Sequence, residues 1–254
     1  FVNNNNRIVR LNFGTSLSNT PAATILGPYS MLSSAHCLDI ILEGSTWVGF
    51  LTCSLGNKLV RLNFGNSLLN APVLTDLGVP GALNQPGSFR LVYENGQWWA
   101  LVANMGNNTL TRLNFGASLL NNPSGVNLGT VCPAINPGGI AMISDCGGTT
   151  GFQLNYSSTS ADLIWRLTMP SGISGPVSGL SLGNIGNLSR PAHFSELFRV
   201  GDTLFLYATN RENGTLTRLR FLPCANASAP SSILYNPPAY SYDQPGTYNV
   251  RLIV

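Results

Sequence analysis

The feature that most restricts how this chain can fold is a short phrase that returns at nearly constant spacing. Arg10-Leu11-Asn12-Phe13-Gly14 recurs as Arg61-Leu62-Asn63-Phe64-Gly65 and as Arg112-Leu113-Asn114-Phe115-Gly116. Degenerate copies stand at Arg166-Leu167-Thr168-Met169 and Arg218-Leu219-Arg220-Phe221, so the five arginines are 51, 51, 54 and 52 residues apart. The segment after each of the first three copies repeats too. Ser16-Leu17-Ser18-Asn19-Thr20-Pro21 matches Ser67-Leu68-Leu69-Asn70-Ala71-Pro72 and Ser118-Leu119-Leu120-Asn121-Asn122-Pro123. Self-similarity at such a period marks one supersecondary unit stacked on copies of itself.

The unit's strands are clearest between 88 and 128. Ser88 to Glu94 is apolar and β-prone, Asn95-Gly96 is the strongest short hairpin signal, and Gln97 to Ala103 is the return strand. Thr109 to Phe115 comes after another turn, and a short edge strand ends at Leu128. Four antiparallel strands per unit predict an all-β fold, a β-propeller of four-stranded blades, rather than a sandwich array with its longer repeat. Blades are expected at 28–78, 79–129, 130–183 and 184–235, with 1–27 supplying two outer strands of another.

Only 9% of the residues are charged, against about 25% in an average soluble domain. Polarity comes instead from amides and hydroxyls, with 28 asparagines among the 254 residues. A hydrophobic content of 44% with a net charge of +3 excludes a disordered chain. No apolar run approaches the roughly 18 residues of a membrane-spanning helix. The thirteen basic residues are scattered singly, which argues against nucleic acid as a partner. A chain opening on Phe1-Val2, with no initiator Met, reads as a processed product or a piece of something longer.

Residues 236–254 depart from the repeat and read as a hairpin. The run Tyr240-Ser241-Tyr242-Asp243-Gln244-Pro245-Gly246-Thr247-Tyr248-Asn249-Val250 resembles the closing hairpin of PKD-type (polycystic-kidney-disease-type) domains, or else supplies the ring-closing pair. With the Arg-Leu-Asn-Phe-Gly repeats, it resembles the propeller-plus-PKD segments of large secreted surface proteins of gliding Bacteroidota. That resemblance implies type IX secretion, a bacterial cell-surface location, and a role in adhesion, gliding motility or a surface filament. The implied partners are other segments of a longer polypeptide, with glycans or surface proteins as further candidates.

The recurring Arg10, Arg61, Arg112, Arg166 and Arg218 are expected to bridge inter-blade seams, since a buried guanidinium must be satisfied. The alternative is a ring of cations around a ligand. Loops at Asn84-Gln85, at Asn136 and at Arg190, with His193 just beyond, would line one mouth of the channel and are the expected ligand site. His36 and His193 are the only histidines, and no cluster with metal-ligand spacing accompanies them, so neither metal nor cofactor is expected. Cys37 could reach Cys53 only across a one-residue bulge, and Cys132 could reach Cys146 only if the intervening loop folds back. Cys224 would remain over, and the pairing stays open. Asp202-Thr203-Leu204 resembles a Bacteroidota O-glycosylation acceptor, which points to Thr203.

No catalytic residue is identifiable from spacing: the ten carboxylates are dispersed, and no nucleophile elbow, phosphate loop or zinc motif occurs. The expected function is therefore a non-enzymatic extracellular binding or structural module. Two alternatives remain: a self-assembling spacer, and a polysaccharide-active propeller enzyme whose carboxylates come from separate blades.

Overall fold

A computed structural model describes residues 2–4, 6–133, 135–145, 148–157, 160–201 and 203–221. The PKD-like hairpin, Cys146 and Cys224 lie outside the described residues. The strands form successive antiparallel sheets arranged as the blades of a β-propeller. The first sheet comprises β1 (Val2–Asn4), β2 (Arg7–Asn12) and β3 (Ala22–Leu26). It has one strand more than the two expected, because Val2 pairs with Val9. The second runs β4 (Ala35–Glu43), β5 (Thr46–Cys53), β6 (Lys58–Gly65) and β7 (Val73–Asp76).

The third sheet is β8 (Pro86–Glu94), β9 (Gln97–Asn104), β10 (Thr109–Gly116) and β11 (Ser124–Gly129). The fourth is β12 (Pro137–Asp145), β13 (Gly148–Asn155), β14 (Ile164–Met169) and β15 (Ser178–Gly183). In the fifth, the inner strand is broken into β16 (Pro191–Phe194) and β17 (Phe198–Val200), both pairing with β18 (Thr203–Asn210). Strand β19 (Thr215–Phe221) pairs with the other side of β18.

Local chemistry explains the turns. Asn95 and Gly96 adopt φ of 52° and 77°, the double left-handed conformation that a two-residue hairpin needs. The sheets then stack, and a separate apolar cluster fills each of the four seams between consecutive sheets. Ile8 and Leu26 of the first sheet meet Leu51, Val60 and Phe64 of the second. Phe50 meets Phe89 and Phe115 at ring-centroid distances of 5.5 and 4.9 Å. Leu101 and Leu110 meet Trp165 and Leu167, and Phe152 and Leu154 meet Leu206 and Leu219. Each such fully buried side chain contributes about 1.5–3 kcal/mol, so the seams, not the sheets alone, hold the blades together.

Polar side chains fasten the same seams. Arg10 donates to Leu68 O at 2.9 Å, Arg61 to Leu119 O, Leu120 O and Asn121 O, and Arg112 to Ile173 O. In each case the guanidinium on β2, β6 or β10 reaches the loop after the third strand of the next blade. Arg166 is exposed, and Arg218 lies over the Phe205 ring at 5.8 Å. Glu43 and Glu94 act alike in the opposite sense. Glu43 accepts from Leu119 N and Ser118 Oγ, and Glu94 accepts from Ile173 N and Thr149 Oγ1.

Candidate active site

An inner blade strand pairs on one side only, so its other edge turns unpaired N–H and C=O groups toward the propeller axis. Side chains of the preceding blade cover those groups here. Cys37 Sγ lies 3.5 Å from Phe89 O, Asp39 Oδ2 accepts from Leu91 N at 3.4 Å, and Ser88 Oγ accepts from Ile140 N at 2.9 Å. Asp39 is thereby held against the neighbouring inner strand, and only 8% of its surface is exposed.

Arg90, on β8, stands beside it. Its Nη1 lies 3.6 Å from Asp39 Oδ2 and 3.7 Å from Glu196 Oε1. Glu196 falls in the break between β16 and β17, where Ser195 exchanges bonds with the Tyr207 backbone and the strand bulges. A bulge of this kind re-aims one side chain without disturbing the strand beyond it. The two separations from one nitrogen cap the distance between these carboxylate oxygens at about 7.3 Å, a bound that admits the roughly 5–5.5 Å at which paired carboxyls act on glycosidic bonds.

Burial pushes the Asp39 carboxyl above the usual carboxylate range, opposed by the Arg90 guanidinium and the Leu91 N–H, and reinforced by Glu196. Glu196 itself is largely exposed. Arg90 Nε is buried with no hydrogen-bond partner among the described residues. The other described carboxylates named by their contacts are engaged elsewhere. Glu43 and Glu94 tie seams, Asp76 pairs with Lys58, Asp162 accepts from Ser181, and Glu212 accepts from Ser189.

The inner strands of the second, third and fourth sheets each carry a register shift where they begin, between Ala35 and Leu38, Pro86 and Ser88, and Pro137 and Gly139. The same irregularity falls between Pro191 and Phe194. The bulged stretches contain His36 and His193, which approach the axis from the second and fifth sheets. Burial holds both imidazoles below their ordinary value, and His36 lowers His193 further as a like charge. Among the described residues no group of three or more potential ligands could hold a metal ion.

The expected mouth residues occupy equivalent positions. Ser34, Gln85, Asn136 and Arg190 have φ of 49°, 45°, 52° and 47°. Each accepts a backbone bond from the end of its own second strand: Ser54 N to Ser34 O, Met105 N to Gln85 O, Tyr156 N to Asn136 O, and Arg211 N to Arg190 O. Asn84, Gln85 and Asn136 are tied further by backbone donation to Asn104, Asn57 and Asn108 side chains. They sit in separate blades. Thr203 is half-buried at the start of β18.

Of the pairings the sequence left open, Cys37–Cys53 is not made, and Cys146 lies outside the described residues. Cys37, Cys53 and Cys132 are free thiols. The bulge required near Cys37 is present, yet it sets Ala35 opposite Cys53 and turns the Cys37 sulfur toward Phe89 of the next blade. Cys53 packs in the seam with the first sheet, and Cys132 packs against Trp165 and Leu167, where burial pushes its thiol up to about 12.

Reading by motif missed Asp39, Arg90 and Glu196. The available signals were that Asp39 and Arg90 share a repeat position, 51 residues apart, on strands meant to line the axis, and that Asp39 and Glu196 each stand three residues after one of the two histidines.

No family model matches the chain, and no curated protein matches it. Solved structures do. The exo-β-1,3-galactanase of Phanerochaete chrysosporium in complex with galactose is 12% identical with a TM-score of 0.58, over 81% of this chain and 51% of that one. A family GH43 β-1,3-galactosidase is 10% identical with a TM-score of 0.55, over 72% and 42%. A thermostable family-43 glycoside hydrolase is 13% identical with a TM-score of 0.54, over 79% and 77%. The chain thus spans about half or less of the first two proteins' length. At these identities the likeness establishes the propeller fold. The printed names of these neighbours are those of glycoside hydrolases, which stands against the expectation of a non-enzymatic module.

Proposed function

We propose that this propeller acts on glycosidic bonds at its axis, with Asp39 and Glu196 as the working carboxylates and Arg90 holding them together. The observation that carries this reading is their convergence, from two non-adjacent blades, on one guanidinium nitrogen. Glycoside hydrolysis requires one carboxyl that keeps its proton and one that is ionised. Asp39 suits the first role, since its buried site disfavours the charge and raises its proton affinity. Glu196, exposed where a water or sugar can reach it, suits the role of base or nucleophile.

The reading extends to the setting. A charge-poor, asparagine-rich surface and the repeat's resemblance to exported proteins support a segment of a longer extracellular polypeptide. The likeness to β-1,3-galactosidases supports galactose-containing oligosaccharides as the first substrates to try.

Sugar release from a panel of β-1,3-galactan and other plant and algal oligosaccharides tests the proposal. Turnover by the unaltered protein is expected, with Asp39→Asn and Glu196→Gln each slowing it about 10²–10⁴-fold while the folded state is retained. No turnover on the panel, or undiminished turnover by both variants, would overturn it.

A further inference from the structure

The backbone at the propeller mouth is the same in four blades, but its side chains are not. The position before each inner strand needs only a positive φ and a carbonyl that accepts from the end of the second strand. Ser34 with Ser54, and Gln85 with Met105, meet that need without charge. In the fourth and fifth sheets the same positions bring in Tyr156, Arg190 and Arg211. Asn is the easier occupant of a left-handed backbone, as at Asn136, so the backbone alone does not call for Arg at φ 47°.

The three side chains are gathered into one cluster. The Arg190 guanidinium lies 4.8 Å from the Tyr156 ring centroid, and that of Arg211 lies 5.9 Å from it while donating to Tyr156 Oη at 2.7 Å. Both arginines are exposed. Among the described residues neither has a carboxylate partner, and the adjacent Glu212 accepts from Ser189 Oγ instead. Two like charges are therefore held on one aromatic ring with no anion between them. They stand at the mouth, beside the strand that carries His193 and, further in, Glu196.

From this cluster we infer that the mouth holds a subsite for an acidic sugar, in which Arg190 and Arg211 fork onto a carboxylate or sulfate group while Tyr156 orients both. Planar guanidinium donors match the oxygens of either anion in pairs, which a lysine would not. The inference rests on the hydrolase reading and sharpens it: the glycan is anionic, bound through its charged unit at the rim, with the scissile bond deeper at Asp39 and Glu196. The part of the mouth formed by Ser34, Ser54, Gln85 and Met105 meets neutral units.

Calorimetric binding in the Glu196→Gln background tests this independently of turnover. The probes are an oligogalacturonide, a sulfated galactan oligosaccharide and neutral β-1,3-galactotriose. At least one acidic probe is expected to bind tenfold or more tightly than the neutral one, and which acidic probe prevails identifies the anion. Arg190→Gln with Arg211→Gln should bring that preference to within twofold. Gln already occupies the equivalent left-handed position at 85, so the fold tolerates it there. Tyr156→Phe should lower the preference partway, and the charge-matched pair Arg7→Gln and Arg220→Gln, on exposed positions elsewhere, should leave it intact. Equal binding of neutral and acidic probes, binding of none, or a preference that survives the double variant would overturn the inference. Hydrolysis without acidic preference would defeat this subsite alone, and acidic preference without hydrolysis would defeat only the catalytic reading.

Discussion

Arg61 on the third strand of one blade donates to the Leu120 carbonyl of the next across 2.6 Å, and its Nη1 also meets the Leu119 and Asn121 carbonyls. One side chain therefore serves three acceptors of a single loop. Arg61→Ala leaves those carbonyls without it, at a cost of about 1–3 kcal/mol. For a chain of this size that lowers Tm by roughly 2–4 °C per kcal/mol. Arg220→Ala, on an exposed position, should change Tm little. Thermal denaturation of the two variants side by side checks the difference.

The Asp39 carboxyl is held above its ordinary range by burial, with Arg90 opposing the shift. A general acid works only while protonated, so the rate falls as pH rises past its value. Arg90→Gln removes the opposing cation, and the alkaline limb of the kcat/KM profile should then move to higher pH, whatever happens to its height. A limb that stays in place, or moves down, would remove Asp39 from the acid role.

His36 and His193 are both depressed by burial, and a charge on His36 further disfavours a proton on His193. The unfolded chain takes up those protons below about pH 6.5, the folded chain only at lower pH, so the unfolded state binds more protons in that window. Stability consequently rises with pH there and falls on acidification. Urea denaturation from pH 5 to 7 should show this slope, and replacing both histidines with Gln should flatten it.

Cys132 is buried with its thiol pushed up to about 12, and burial also raises Cys37 and Cys53. Thiolates are the reactive form, so at pH 8 iodoacetamide should leave all three unmodified in the folded protein. Unfolding without reductant should expose all three to alkylation. Failure of Cys37 and Cys53 to label after unfolding would show a disulfide between them.

The repeat made much of the architecture legible. A phrase returning every 51 to 54 residues, with Asn95-Gly96 inside it, was enough to infer four antiparallel strands per unit and stacked blades. The seam role of Arg61 and Arg112 comes from the same periodicity, because a group repeated in each blade meets the same neighbour each time. Local spacing could not reveal the bulges at His36 and His193. A bulge is fixed by the competition between pairing to the second strand and covering the next blade's edge, and no single segment encodes that balance.

The candidate site lay beyond sequence pattern for a related reason. Asp39 and Arg90 lie on the inner strands of two blades and Glu196 in the strand break of a third, and although each carboxylate stands three residues after one of the two histidines, that spacing names no site by itself. Their meeting depends on how far each blade turns about the axis and on the break between β16 and β17 that aims Glu196 inward. Local sequence determines strands, turns and the blade repeat, because those are set by interactions among near neighbours and between identical units. Which carboxylates share an arginine is decided only when the sheets pack around a common axis, since contacts across 51 and 106 residues exist in the assembled propeller and nowhere in its parts.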